Sequence, residues 1–461
     1  MSNPVPFSSL GLQPALLSKL ADIGYTEMTL VQAETLPQLI DGADVLARAK
    51  TGSGKTAAFG LGILNKLEAG SFRTQALVLC PTRELADQVS KEIRRLACGI
   101  PNVKILTLCG GAPLGPQLAS LQHSPHVIVG TPGRVLKHLR QATVKLGALQ
   151  TVVFDEADRM LDMGFADELD AILEFLPKRR QTLLFSATYP DSIAAVSRRV
   201  QRNPVIVDVT DDEQPAHIAQ SWCSVTRDNR KAELVRALRA WGGALNLVFC
   251  NTRIDVTDVA DYLQSQKISA VALHGGLEQN ERTEVLVRFA NRSAAVLVAT
   301  DVAARGLDVK DLDAVFNYEL PKQAQVYVHR IGRTARAGKQ GVAISLVEPG
   351  EEWRWEEIET LLPDAFPKRC GIPAVERSAD PLQPAMTTLQ ISGGRKNKLR
   401  PGDLLGALTA GGGVPGDSVG AIDLFEASSF VAVRNAEAQT ALRQLANRPI
   451  KGKKYRARIR Q

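Results

Sequence analysis

The sequence has no CxxC pair: its six cysteines stand at 80, 98, 109, 223, 250 and 370, several inside apolar runs such as 76–80 and 245–250. They read as buried thiols in a reducing cytoplasm rather than as a disulfide framework. No run of about eighteen apolar residues occurs, and residues 1–10 carry no basic stretch leading into an apolar one, so neither membrane spanning nor export is expected. Charge of either sign is scarce as an excess over most of the chain. Residues 384–461 hold 13 Lys and Arg against 5 Asp and Glu, and the remainder holds 43 against 44, so the last sixth carries the whole basic surplus. Concentration of that kind marks a polyanion contact more often than a solvated face. With 461 residues and 44% hydrophobic content, two or three globular domains are expected.

Between residues 46 and 209, apolar β-branched runs (75–80, 104–108, 126–129, 151–154, 182–185, 205–209) alternate with longer helical patterns such as 83–97. That alternation predicts βαβ units and a parallel sheet. A polar stretch, 210–215, breaks the pattern. It resumes with runs at 245–249, 269–273, 295–299, 314–318 and 341–347, which predict a second α/β domain. Prolines at 363, 367, 373, 381 and 384 suggest a stiffened linker. The tail then reads strand 387–391, helix 403–410, strands 419–425 and 429–433, helix 437–445 and strand 455–459, a βαββαβ order.

Two stretches carry chemistry. Asp155, Glu156, Ala157, Asp158 follow the apolar run 151–154, and ligands of open parallel sheets bind beyond the carboxyl ends of strands. Upstream, Ala49, Lys50, Thr51, Gly52, Ser53, Gly54, Lys55, Thr56 form a phosphate-cradling loop after a strand-like segment, with Ala49 where the first glycine is usual. Together they predict a nucleotide held with magnesium. In the second half, Arg330, Arg333 and Arg336 recur every third residue in HRIGRTAR; they would share one face if helical, and guanidinium groups suit a transferring phosphoryl group.

These motifs resemble a DEAD-box RNA helicase along nearly all of the first two domains. The resemblance implies an α/β fold of two RecA-like parallel-sheet domains, at 1–209 and 218–366, followed by a small α+β domain like an RNA-recognition motif at 384–461. It implies that Gln32 reads adenine and Tyr25 stacks on it, with Leu30 where the family usually has Pro. Thr51, Gly52, Ser53, Gly54, Lys55 and Thr56 would hold the phosphates, Thr56 and Asp155 the Mg2+, and Glu156 the attacking water. Ser186 and Thr188 would couple hydrolysis to strand separation. Gly306 and Asp308 would contact the nucleotide, and Arg333 and Arg336 would act as arginine fingers, with Ala335 replacing the more common Gly.

On the RNA side, the resemblance assigns Arg83, Gly111, Thr131 and Arg134 in the first domain and Arg253, Arg282 and Thr300 in the second to a strand's backbone. Such groups bind phosphates without reading bases. In the tail, Phe430 and Val431 keep part of the motif's aromatic signature, but Val433 and Ile391 offer no rings. RNA is therefore expected at Arg395, Lys396, Lys398 and Arg400 and at Lys451, Lys453, Lys454, Arg456 and Arg458. Resemblance to the bacterial branch with this degenerate motif implies a 23S ribosomal RNA hairpin in large-subunit precursors as partner, a cytoplasmic monomer as the working form, and ATP as fuel. An ATP-gated RNA clamp without unwinding and a DNA translocase are the alternatives.

Overall fold

A computed structural model describes residues 5–49, 52–189, 191–209, 218–304, 312–335, 340–360, 362, 368–373 and 382–460. Within these, the chain divides into two compact units, one over 5–209 and the other over 218–460.

The first unit is built on strands β1 (Val45–Arg48), β2 (Ala76–Leu79), β3 (Ile105–Leu108), β4 (Val127–Gly130), β5 (Thr151–Asp155), β6 (Gln181–Ser186) and β7 (Val205–Asp208). They form one sheet in the order β3-β4-β2-β5-β6-β1-β7, with every pairing parallel. Side chains alternate across a strand, so each central strand feeds two cores. Val45, Val78, Val129, Val153 and Phe185 pack on one face. Leu46, Leu77, Ile128, Phe154 and Leu184 pack on the other. This burial on both faces explains why these strands read as unbroken apolar runs in the sequence.

The second unit repeats the plan with β8 (Ile218–Ser224), β9 (Asn246–Cys250), β10 (Ala270–Leu273), β11 (Val296–Thr300), β12 (Ala314–Asn317), β13 (Gly341–Val347) and β14 (Lys368–Arg369), ordered β10-β11-β9-β12-β13-β8-β14, all parallel. Two of these strands fall outside the sequence expectation. β8 carries polar residues at Gln220, Ser221 and Ser224, on both faces, and β14 lies inside the span expected to be a linker. Farther along that span, Leu382 is fully buried in the main core of this unit.

The same unit ends in a four-stranded antiparallel sheet of β15 (Met386–Ile391), β16 (Val419–Leu424), β17 (Ser429–Arg434) and β18 (Ala457–Arg460), ordered β16-β17-β15-β18 and backed by helices Pro401–Thr409 and Ala438–Asn447. Leu389, Ile391, Val431 and Val433 face those helices. The opposite sheet face meets the preceding domain: Arg460 pairs with Glu284 at 3.0 Å and the Thr388 hydroxyl bonds that of Ser293. No helix among the described residues is long and apolar enough to cross a membrane.

Candidate nucleotide and nucleic-acid sites

The sheet order of the first unit dictates where its loops meet. β5, β6 and β1 are neighbours, with Asp155 opposite Phe185 and Arg48 opposite Ser186, so the acidic stretch, the Ser186–Thr188 segment and the glycine loop emerge side by side. Ala49 N–H donates to Ser186 O at 3.0 Å and joins two of them directly.

The glycine loop turns into helix Lys55–Lys66 through Gly52 and Gly54, both in the left-handed backbone region at φ 94° and 98°. Gly54 has a second reason to be glycine. A Cβ there would stand 2.5 Å from Gln32 Nε2 and 2.9 Å from Thr29 Oγ1. Both residues brace the loop: Gln32 Nε2 donates to Gly54 O at 3.2 Å and the Thr29 hydroxyl to Ser53 O at 2.8 Å. Gln32 Oε1 meanwhile accepts from Thr29 N–H and closes the capping box of helix Leu30–Asp41. Tyr25 lies beside this helix start, its hydroxyl on Glu92 at 3.1 Å and its ring under the Arg95 guanidinium. Lys55 is buried and donates to Ala49 O at 2.6 Å, across its own loop, and Thr56 follows it in the first helical turn. Thr51 lies outside the described residues.

The acids are not equivalent. Asp155 is buried, and burial pushes its carboxyl up to about 7, with the Lys55 charge opposing and Glu156 adding to the rise. Glu156 is buried too, its backbone left-handed at φ 53°, ψ 54°, and its Oε2 accepts Arg159 Nη1 at 2.7 Å. Asp158 faces elsewhere. Its Oδ2 accepts Ala187 N–H, Thr188 N–H and the Thr188 hydroxyl at 3.2, 3.0 and 2.8 Å, and its Oδ1 accepts Arg159 N–H. Burial works to raise this carboxyl, but the bonds from Thr188, Ser186 and Arg159 together outweigh it and hold it below the ordinary range. Asp158 thus anchors the Ser186–Thr188 segment, whose own Ser186 hydroxyl donates to Thr188 O at 2.6 Å.

The other half of the sheet, β2, β4 and β3, brings a second set of loops to the same edge. Thr82 caps helix Arg83–Leu96, and Thr131 stands before helix Pro132–Arg140. Gly111, at φ 76°, lies under the Arg83 guanidinium, which a side chain there would have to displace. Arg134 Nη1 donates to Gln117 Oε1 at 2.9 Å, and its Nη2 to Ala112 O. Arg83, Gly111, Thr131 and Arg134 thus share the β2–β4–β3 part of the edge, and the acids and glycine loop share the β5–β6–β1 part.

In the second unit, Thr300 ends β11 and accepts Ala303 N–H at 3.3 Å, while Arg282 Nη2 donates to Ala303 O at 2.9 Å. Arg253 is exposed at the start of helix Arg253–Ser265. Arg330 and Arg333 do not share a helix face, because helix Ala324–Ile331 stops between them. Arg330 turns inward. It is 1% exposed, grips both oxygens of Asp301 at 2.7 and 2.8 Å, donates to Asn251, Asn317 and Glu319 O, and packs over the Phe249 ring. Arg333 is also buried, and Ala335 is left-handed at φ 57°. Gly306, Asp308 and Arg336 lie outside the described residues.

In the C-terminal sheet domain, the turn at Lys451 meets the basic loop: its ammonium donates to Lys398 O and pairs with Asp403, both at 2.7 Å. That contact draws Arg395, Lys396, Lys398 and Arg400 toward Lys451, Lys453 and Lys454. Arg458 stands apart from them, on the sheet face, donating to Gln390 Oε1 at 2.8 Å. Phe430 is buried edge-on against Phe425.

Three family models match the chain: DEAD/DEAH box helicase over residues 29–196, helicase conserved C-terminal domain over 230–338, and DbpA RNA binding domain over 388–459. The chain is 52% identical to ATP-dependent RNA helicase DbpA of Escherichia coli over 98% of its own length and 99% of that protein. It belongs to the DEAD-box ATP-dependent RNA helicases. The DEAD-box helicase CshA of Geobacillus kaustophilus is 42% identical over 77% of the chain and 76% of that protein. Among solved structures, Saccharomyces cerevisiae Dbp5 bound to RNA and ADP BeF3 covers 79% of the chain and is itself covered to 95%, with a TM-score of 0.71 at 30% identity. Mss116p bound to ssRNA and AMP-PNP matches with a TM-score of 0.73 at 27% identity, over 81% of each chain. The family fixes the fold as two RecA-like parallel-sheet domains with a small C-terminal sheet domain, and the activity as ATP-dependent RNA unwinding.

Residues that sequence reasoning passed over are those that hold others in place: Thr29 under the loop, Arg159 on Glu156 and Gln117 on Arg134. Polar residues flanking each motif at helical spacing were the available signal.

Proposed function

We propose that this helicase is tethered by its C-terminal domain to a 23S ribosomal RNA hairpin and opens short duplexes nearby in precursors of the large ribosomal subunit, working in the cytoplasm as a monomer. The observation that carries the tether is the joining of the 395–400 loop to the Lys451 turn, which brings seven of the tail's thirteen basic residues together in the domain that matches the DbpA RNA-binding family. Phosphate-binding groups of this kind supply affinity, and the hairpin's shape would supply choice.

In the core, Gln32 and Tyr25 would meet the base, and residues 51–56 the phosphates. The donor set fits a hard divalent cation: Asp155 is a buried oxygen ligand whose charge burial alone disfavours, and Mg2+ is commonly held by one or two carboxylates together with substrate phosphates. Asp155 and Thr56 would hold it, and it would supply charge neutralisation on the phosphates. Glu156 would orient the attacking water, and Arg333 and Arg336, with Gly306 and Asp308, would complete the nucleotide site. Arg83, Gly111, Thr131, Arg134, Arg253, Arg282 and Thr300 would track the RNA backbone.

Equilibrium binding of the full chain to a 23S hairpin fragment and to a scrambled hairpin of equal length, at fixed salt, tests the tether. The hairpin should bind at least about tenfold tighter, and the variant Lys398→Glu/Lys451→Glu should erase the difference. Equal affinity for both RNAs overturns the tether and leaves the helicase.

A further inference from the structure

Glu156 stands where a non-glycine residue rarely stays, in the left-handed region between the end of β5 and helix Ala157–Asp162. A carboxylate leaving so constrained a backbone still needs its side-chain torsions fixed before it can orient a water. Arg159 is placed to fix them. Its Nη1 lies 2.7 Å from Glu156 Oε2, and the two side chains are only 5% and 6% exposed, so this is a buried pair and not a solvated i,i+3 contact.

Arg159 is itself anchored from the opposite side. Its backbone N–H donates to Asp158 Oδ1 at 3.0 Å, and Asp158 Oδ2 holds Ala187 and Thr188. Thr188, Asp158, Arg159 and Glu156 therefore form one unbroken chain of contacts from the coupling segment to the hydrolytic carboxylate.

We propose that Arg159 is the positioning residue for Glu156, holding its carboxylate in the hydrolytic orientation and linking that orientation to the Ser186–Thr188 segment. The proposal rests on the reading of Glu156 as the group that orients the attacking water.

The test compares full-length Arg159→Ala, Arg159→Lys and Glu156→Gln with the parent, measuring RNA-stimulated kcat and KM, equilibrium affinity for a fluorescent ATP analogue, and hydrogen exchange of residues 151–162. Arg159→Ala should lower kcat by at least about tenfold while KM and analogue affinity stay within about twofold, because binding does not use the pair. Arg159→Lys, which keeps a cation but loses the planar fork, should recover part of the loss. A kcat within twofold of the parent in Arg159→Ala overturns the proposal. So does a loss that Lys leaves wholly unrepaired while exchange accelerates throughout 151–162, since Arg159 would then only support the fold. Full turnover in Glu156→Gln would instead remove the reading of Glu156 on which the proposal stands.

Discussion

Asp158 Oδ2 accepts both the backbone N–H and the hydroxyl of Thr188, at 3.0 and 2.8 Å. The fourth residue of the acidic motif is thus a bracket for the Ser186–Thr188 segment. Thr188→Val removes the hydroxyl and keeps the N–H contact. ATP hydrolysis should stay within about threefold of the parent, while unwinding of a short RNA duplex falls by about tenfold or more, a gap read by running both assays on one preparation.

Gly54 sits against Gln32 and Thr29 in a left-handed conformation. Gly54→Ala meets both obstacles and should cost about 1–3 kcal/mol at this loop, seen as lost binding of a fluorescent ATP analogue. Gln32→Ala relieves the crowding but removes the brace, and analogue affinity should fall by about tenfold.

Ala335, at φ 57°, occupies a position where glycine carries no Cβ penalty. Ala335→Gly should stabilise the second unit by up to about 1 kcal/mol, read as a higher denaturant midpoint for its unfolding transition.

Arg330 gives a contrast in the same motif. Removing it strands Asp301 and leaves Asn251 and Asn317 without their shared donor. Arg330→Ala should cost about 3–5 kcal/mol in the same denaturation experiment, and Arg330→Lys should recover little because an ammonium cannot reproduce the fork.

Burial, then the charges of Arg134 and Lys137, hold the His138 imidazole below the usual value, and its Nε2 lies 2.9 Å from the same Gln117 Oε1 that positions Arg134. A histidine with a depressed folded pKa contributes stability that is complete above the unfolded value of about 6.5 and is lost as pH falls from there toward the folded value. The first unit should therefore unfold more readily at pH 5.5 than at 7.5, and His138→Gln should flatten that difference.

The parallel strands of both large sheets were legible because burial on two faces makes an apolar run, as in β2 and β5. β8 was not legible: its Gln220, Ser221 and Ser224 interrupt the run, and its place beside β13 is a tertiary fact. β14 was hidden by the prolines around it, which signal a break in helices but tolerate a short strand at a sheet edge. At the site, the motif residues were readable and their partners were not. Asp158 read only as one of three clustered acids, and its bonds to Thr188 appear only in the fold; Arg330 and Arg333 read as one helix face, but the helix ends at Ile331 between them. Spacing reports which residues share an element, and contacts decide what each one touches.

The most direct test of the account is steady-state ATP hydrolysis by the full chain with no nucleic acid, with duplex DNA, with generic RNA and with a 23S fragment carrying the hairpin, all at one salt concentration. The account predicts strong stimulation by the hairpin fragment, weaker stimulation by generic RNA and none by DNA. Stimulation by DNA equal to that by RNA, or no response to any RNA, would contradict it.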